Sequence, residues 1–519
     1  MPKRTSSGLF DLIHSLTKAE KAYFKSFSQW KSREQDPLYV RLFDTILRQK
    51  IYDEKKIISF FNIKPNVFSS LKNSLNNILL DCLRNFHTGD QISHKVRELI
   101  YHAEILFIKK LFSACIKTLE KALAIAEEYE LFTYHIEISH FVQKVKQAEK
   151  NIPWLEDVQP EFQRKEKAIL NQIANFQEYQ KSMAASMIYG YKIDQKKIAG
   201  RELSYDDYVD MKLIKNEKHA LSYAAKINHY QLKGLYYSYN NDYKKGLESY
   251  IELKKFIDEH EKMKFANINT YGIALHNILT VGQGILSFEE IKKYFQNLKD
   301  TRAYWRNENI DFRASYYNNL LRIYVFYFIR DKAAQLTNEV EQWLGKNEHK
   351  ANKLNISSII YFLAHVYFFN NDLKKSLYWL NKLVNNYNER VENYAYSSAK
   401  ILILIIYYEL GNYDQLPYLA KSTRGFLLKR QRLFDFEKKI LHFFSKKVLK
   451  ASDQSVEVKA LFKILRNELI EGYRKDQRNF KVLQYFDFIS WLDSKIEGRS
   501  FFDIIKSIGG TFDERNKLL

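Results

Sequence analysis

Thirteen histidines and 61 carboxylates could in principle do acid–base or metal chemistry, yet their spacing gives none of the usual arrangements. The nearest histidine pair, His135 and His140, is five residues apart. Five residues turn a helix through about 500°, so the two rings leave by different faces and cannot act together as i, i+4 metal ligands do. Asp206-Asp207 and Glu289-Glu290 are adjacent carboxylates. Such neighbours diverge on a helix and serve better as caps or first-turn partners of the helix dipole than as an acid/base pair. No HExxH, GxSxG, phosphate-binding loop or dinucleotide GxGxxG occurs. Cys82 and Cys115 are the two cysteines, too few for a disulfide framework and without a CxxC spacing for zinc. Both stand among apolar residues and read as buried thiols. The expectation is a protein that is not an enzyme, with no catalytic residue, metal or cofactor.

What remains is recognition chemistry, and here the sequence is rich. Its 82 Lys and Arg against 61 Asp and Glu leave a net charge of +21, which favours phosphate backbones or acidic proteins. The charge is spread along the chain. Residues 1–100 hold 17 basic and 10 acidic side chains, and residues 401–519 hold 22 and 15. Only 421–450 is locally dense, with ten basic residues, Arg424, Lys429, Arg430 and Arg432 among them, against Asp435 and Glu437. That segment reads either as a solvated helix face or as a contact surface. The 37 Tyr and 36 Phe provide for a large core and for aromatic binding walls.

The elements that must position these groups are helical. Average usage would give roughly 36 Gly and 26 Pro, whereas the chain has 16 and 6. That disfavours turn-rich strand architectures, collagen and Pro-rich disorder. The longest hydrophobic run, Ile401 to Tyr408, is eight residues, against the roughly 18 to 20 needed to span a bilayer. Residues 1–20 lack the apolar region of a secretory signal. The expected compartment is the cytoplasm, without a membrane span.

Two segments overlay without gaps, YYSYNNDYKKGLESYIEL from Tyr236 and VYFFNNDLKKSLYWLNKL from Val366. Each reads as the end of one helix, a polar turn and the start of a second. IYYELGNYDQLPYLAK from Ile406 repeats the cadence with Gly411 in the turn. Tyr327, Tyr367 and Tyr407 stand 40 residues apart, as do Leu336, Ser376 and Leu416. Weaker copies place Ile291 and Gly246 at 45-residue steps, and an earlier one supplies Ala103, Leu106, Phe112, Cys115, Leu119 and Ala122. A period of 40 to 45 is the length of a stacked helix pair.

At these residues the chain resembles the tetratricopeptide-repeat family. The best copy matches that family's pattern at Gly234, Tyr237, Asn241, Tyr243, Gly246 and Tyr250, and the next at Ala364, Tyr367, Asn371, Leu373, Ser376 and Leu380. The chain departs from the family in its longer spacing, in lacking the terminal Pro, and in bulky Tyr324 and Leu404 at crossing sites. The resemblance implies an all-α, TPR-like α-solenoid, a right-handed superhelix of antiparallel helix pairs, over residues 89–430.

It also implies a concave groove for a protein or peptide partner, with Gln231, Tyr361, His365, Phe368, Phe369, Ile405, Tyr408 and Glu409 on its wall. These residues are mostly aromatic and apolar, unlike the Lys/Asn/Arg clamp by which chaperone adaptors of the family hold a C-terminal carboxylate.

Between the copies, Pro153 and Pro160 break one helix, and Pro160 opens a long one. Residues 1–88 read as a separate helical module. Thr17 and Glu20 form a capping-box pattern, and residues 54–84 have the shape of a helix-turn-helix around Asn62 to Pro65. The second of those helices would present Asn66, Ser69 and Lys72, with Lys64 just before it, to a nucleic acid. A helix pair with a short Pro turn is equally an ordinary helical cap. Residues 431–519 read as a C-terminal helical cap. Two functions are therefore expected: a scaffold that docks a protein partner in its groove or, alternatively, a nucleic-acid-associated regulator using 54–84 or the basic 421–450 segment. A helix-turn-helix ahead of such repeats is an arrangement found in bacterial regulators.

Overall fold

The computed structural model describes residues 7–32, 38–87, 92–196, 203–283, 285–301, 310–387, 394–429, 433–447, 456–475 and 485–508. All regular structure among them is helical. No helix among them is long and apolar enough to cross a membrane. The chain divides into two compact units, residues 1–170 and 171–519.

In the first unit α1 (Gly8–Ser15), α2 (Lys18–Ser32), α3 (Leu38–Arg48), α4 (Glu54–Phe61) and α5 (Pro65–His87) enclose a core that includes Ile13, Phe24, Phe43, Phe68 and Leu75. The capping box forms as expected: Thr17 N–H donates to Glu20 Oε2 at 2.7 Å, and Glu20 N–H to Thr17 Oγ1 at 3.2 Å. Asp53 caps α4, and Asn62 ends it with a left-handed φ of 50°. Three helices of 17 residues each follow: α6 (Ile92–Ile108), α7 (Phe112–Glu128) and α8 (Phe132–Ala148). Their turns carry left-handed residues at Lys110, Glu130 and Lys150, spaced 20 residues apart. At each turn two bonds close the helix end; Lys110 N–H meets Phe107 O and Leu111 N–H meets Leu106 O, both at 2.9 Å. This is a Schellman closure, which satisfies carbonyls the helix leaves unpaired. A 17-residue helix plus a three-residue turn gives 20 residues per helix and 40 per pair, the lower end of the 40-to-45-residue period read from the sequence. Pro153 lies in the first turn of α9 (Ile152–Asp157), and Pro160 in the first turn of α10 (Gln159–Lys196). Neither position needs a donating N–H.

The second unit continues with α11 (Lys212–Lys215), α12 (Tyr223–Tyr239), α13 (Tyr243–Asp258), α14 (Glu261–Ala266), α15 (Ile268–Val281) and α16 (Phe288–Asp300). The pairs α17 (Ile310–Phe326) and α18 (Arg330–Asn347), α19 (Lys353–Phe369) and α20 (Leu373–Asn386), and α21 (Tyr394–Glu409) and α22 (Leu416–Lys429) come next. Last are α23 (Asp435–His442), α24 (Val456–Lys475), α25 (Phe488–Glu497) and α26 (Phe501–Ile508). The Asn-Asn-Asp turns work residue by residue. Asn241 and Asn371 each take φ 62°, and Asp242 and Asp372 each cap the following helix by accepting from Lys245 N–H and Lys375 N–H. Asn tolerates the left-handed region better than most residues, and Asp is a strong N-cap.

Helices α17 to α26 share one apolar cluster, from Ala314 through Ile360 and Leu404 to Trp491 and Leu492. The described helices after residue 430, α23 to α26, thus pack into the same core as the helix pairs before them.

Candidate functional site

The residues expected to wall a groove are drawn together by α19 and α21, and the end of the same chain covers them. Tyr361, His365, Phe368 and Ile405 are buried. Tyr361 donates its hydroxyl to the carbonyl of Tyr485 at 3.3 Å. His365 lies 4.3 Å from the Tyr361 ring and 5.7 Å from that of Phe486, and Phe368 packs on Phe486 and Phe501 at 5.6 and 5.9 Å. Phe369, half-buried, meets Phe501 at 5.8 Å. Tyr408 stands edge-on to Trp491 at 6.0 Å. Glu409 accepts from Trp491 Nε1 at 2.7 Å and pairs with Lys495 at 2.6 Å. Gln231 sits half-buried on α12 and takes no part in these contacts. Aromatic anchors with a central ion pair are what a docked partner usually supplies; here α25, α26 and residues 485–487 supply them. The sequence marks the face as sticky but gives no sign that Phe486, Trp491 and Phe501 cover it, because that pairing spans 82 to 124 residues of chain.

An open cleft lies instead in the first unit, where the sequence offered no candidate. Arg97, Ile100, Tyr101 and Glu104 of α6 face Thr133, Tyr134 and Glu137 of α8 across a cavity of about 470 Å³. The Arg97 guanidinium lies over the Tyr134 ring at 5.6 Å and donates to its hydroxyl. Tyr101 is 62 % exposed and Ile108, two turns on, 79 %. A signal was present, since Tyr101, Ile105 and Ile108 recur at four- and three-residue steps on one face of α6.

At the expected nucleic-acid contacts, Lys64, Asn66 and Ser69 are exposed around the start of α5. Lys72 is half-buried, bonded to Glu54 at 3.3 Å with its ammonium 5.8 Å from the Phe68 ring. Arg424 and Lys429 are exposed on α22, while Arg430 and Arg432 lie outside the described residues.

The groups that could have done chemistry have structural partners. His135 is buried beside Glu127 at 3.3 Å, and His140 bonds Glu166 at 2.7 Å, so the two rings serve different neighbours. Asp206 and Asp207 lie in a short 3-10 turn capped by Ser204. Glu289 and Glu290 open α16, Glu290 within a capping box with Ser287. Cys82 and Cys115 are free and buried, and burial pushes the Cys82 thiol up to about 11. Among the described residues no three His, Cys, Asp or Glu side chains converge as metal ligands. No protein-family model and no curated protein matches the chain.

Proposed function

We propose that this protein is a helical-repeat scaffold that captures a segment of a protein partner, its helix pairs stacked as a TPR-like right-handed superhelix. Repetition of one turn chemistry and one crossing contact from α6–α7 to α19–α20 supports the stacking. The observation that carries the binding reading is the α6–α8 cleft, where an exposed Tyr, an Arg stacked on a second Tyr and two carboxylates meet beside exposed Ile105 and Ile108. Interfaces are enriched in such aromatic and Arg anchors. In this reading the α19–α21 face opens to a partner only when α25 and α26 leave it. The proposed compartment is the cytoplasm, with which two free buried thiols agree. The test is affinity capture of the tagged chain, with and without nuclease, beside a Tyr101→Ser/Ile108→Ser variant. A defined protein retained by the parent after nuclease and lost by the variant supports the scaffold; equal capture by both chains removes the α6–α8 cleft from it.

A second reading, nucleic-acid contact, draws on the exposed Lys64, Asn66 and Ser69 at the start of α5. Nucleic acid enriched in the same eluate, and lost on Lys64→Ala/Asn66→Ala substitution, would favour it.

A further inference from the structure

We infer that Arg322 anchors a carboxylate-binding site on the seam between α15 and α17, suited to a carboxylate carried on an apolar body. His276, Thr280 and Gln283 follow one another at four- and three-residue steps along α15 and just past its end. Ser315, Asn319 and Arg322 do the same on α17. Ser315, Asn319 and Arg322 share one face of α17, and His276 and Thr280 one face of α15; hydrogen bonds join the two sets. Arg322 Nε donates to Gln283 Oε1 at 2.6 Å. Asn319 Nδ2 donates to His276 Nδ1 at 2.8 Å, with the Ser315 hydroxyl 3.3 Å from the same nitrogen.

These bonds fix what the seam can offer. Because His276 Nδ1 accepts, its proton sits on Nε2, which makes that nitrogen a donor. Burial, and then the Arg322 charge, hold the imidazole down at about 4, so it stays neutral near pH 7. Gln283 spends its oxygen on Arg322, and its buried Nε2 has no partner among the described residues. Arg322 itself is half-buried. Its partners among the described residues include Gln283, the rings of Phe326 and Phe362 at 5.8 and 6.0 Å, and Tyr485, which favours its charge electrostatically; none of these is a carboxylate.

A guanidinium withdrawn from water without a counter-charge is unfavourable, and an anion that reaches it gains accordingly. The planar fork takes both oxygens of a carboxylate side by side. The flanking Phe rings suit an apolar carrier. One formal positive charge matches one carboxylate, whereas a phosphate dianion would bring a second negative charge that the seam does not balance.

The test is isothermal titration calorimetry of the full chain with four probes: benzoate, benzamide, inorganic phosphate, and an acetylated and amidated Phe-Glu-Phe peptide. Benzoate and the peptide bind, benzamide does not, and phosphate binds more weakly than benzoate. Tighter binding of the peptide assigns the carboxylate to a docked protein segment, and tighter binding of benzoate assigns it to a free organic acid. Arg322→Gln weakens benzoate by ~tenfold or more, the loss of a charge-assisted bidentate pair. Gln283→Glu places a carboxylate against Arg322 from within the chain. It abolishes benzoate binding while raising the thermal midpoint, so a loss of binding through unfolding is told apart. Unchanged benzoate binding in both variants, preference for phosphate, or no binding by any probe overturns the site.

Discussion

The hydroxyl of Ser376 donates to the carbonyl oxygen of Ala364 at 2.8 Å across the turn between α19 and α20. Cys115 Sγ stands in the same relation to the Ala103 carbonyl, at 3.3 Å and again twelve residues away. In the third copy, a Cβ added at Gly246 would lie 3.3 Å from the carbonyl oxygen of Gly234. The two helices of a pair cross here at backbone contact, which admits only a small side chain.

Gly234 tests that crossing. A Cβ on it would come within 2.5 Å of the buried Tyr250 ring. Gly234→Ala should cost about 2 kcal/mol through overpacking, measured by urea unfolding. Tyr250→Leu makes room, so the double variant should lose less than the two single losses combined. Strict additivity would show that the ring moves aside freely.

Glycine at the left-handed turn residues should stabilise. Lys110 and Glu130 hold φ of 59° and 50°, where a side chain is strained. Lys110→Gly and Glu130→Gly should each gain ~0.5–1 kcal/mol, after the extra entropy of Gly is set against relief of strain. Asn241→Gly, at φ 62°, should change little because Asn already tolerates the region. A loss at Lys110 would contradict the strain assignment.

Closure of the α19–α21 face depends on Trp491, which is buried and bonded to Glu409. Trp491→Ala should cost ~3–5 kcal/mol. Hydrogen exchange should show lost protection in α25 and α26 together with the part of α19 around Phe368. If α19 keeps its protection while α25 opens, the cover contributes nothing to the face beneath it.

His365 should give acid sensitivity. It is 1 % exposed. Burial, only partly offset by its bond to the Tyr361 carbonyl, lowers its pKa from 6.5 to about 4. A histidine with a depressed folded-state pKa binds fewer protons folded than unfolded between those two values, so stability is full above about 6.5 and falls as pH drops toward 4. The loss over that window is up to ~3 kcal/mol. Unfolding free energies at pH 7, 5.5 and 4.5 should show this slope, and His365→Leu should flatten it. An equal slope in the variant assigns the sensitivity to other groups.

Much of the local structure was legible in the sequence. Asn-Asn-Asp turns announce a left-handed residue followed by an N-cap, Thr17 and Glu20 announce a helix start, and Pro160 marks the first turn of a long helix. Each depends on contacts only a few residues apart. That Pro153 likewise opens a helix, α9, came only from the structure. The left-handed residues Lys110, Glu130, Lys150 and Phe328 were not legible, because they take that φ without favouring it, held there by helices on both sides.

Helical composition and a cadence of 40 to 45 residues were already fixed locally, since periodic apolar residues and capping act over one or two turns. Which faces stay open depends on contacts between segments far apart in the chain. Tyr361, Phe368 and Tyr408 have the composition of a binding wall, but rings from residues 485–501 bury them, and hydrophobic burial depends on proximity in space, not on position in the chain. The same distinction holds for Arg322. Its type was visible among 82 basic residues, while its lack of a carboxylate partner among the described residues follows from the packing of α15 against α17.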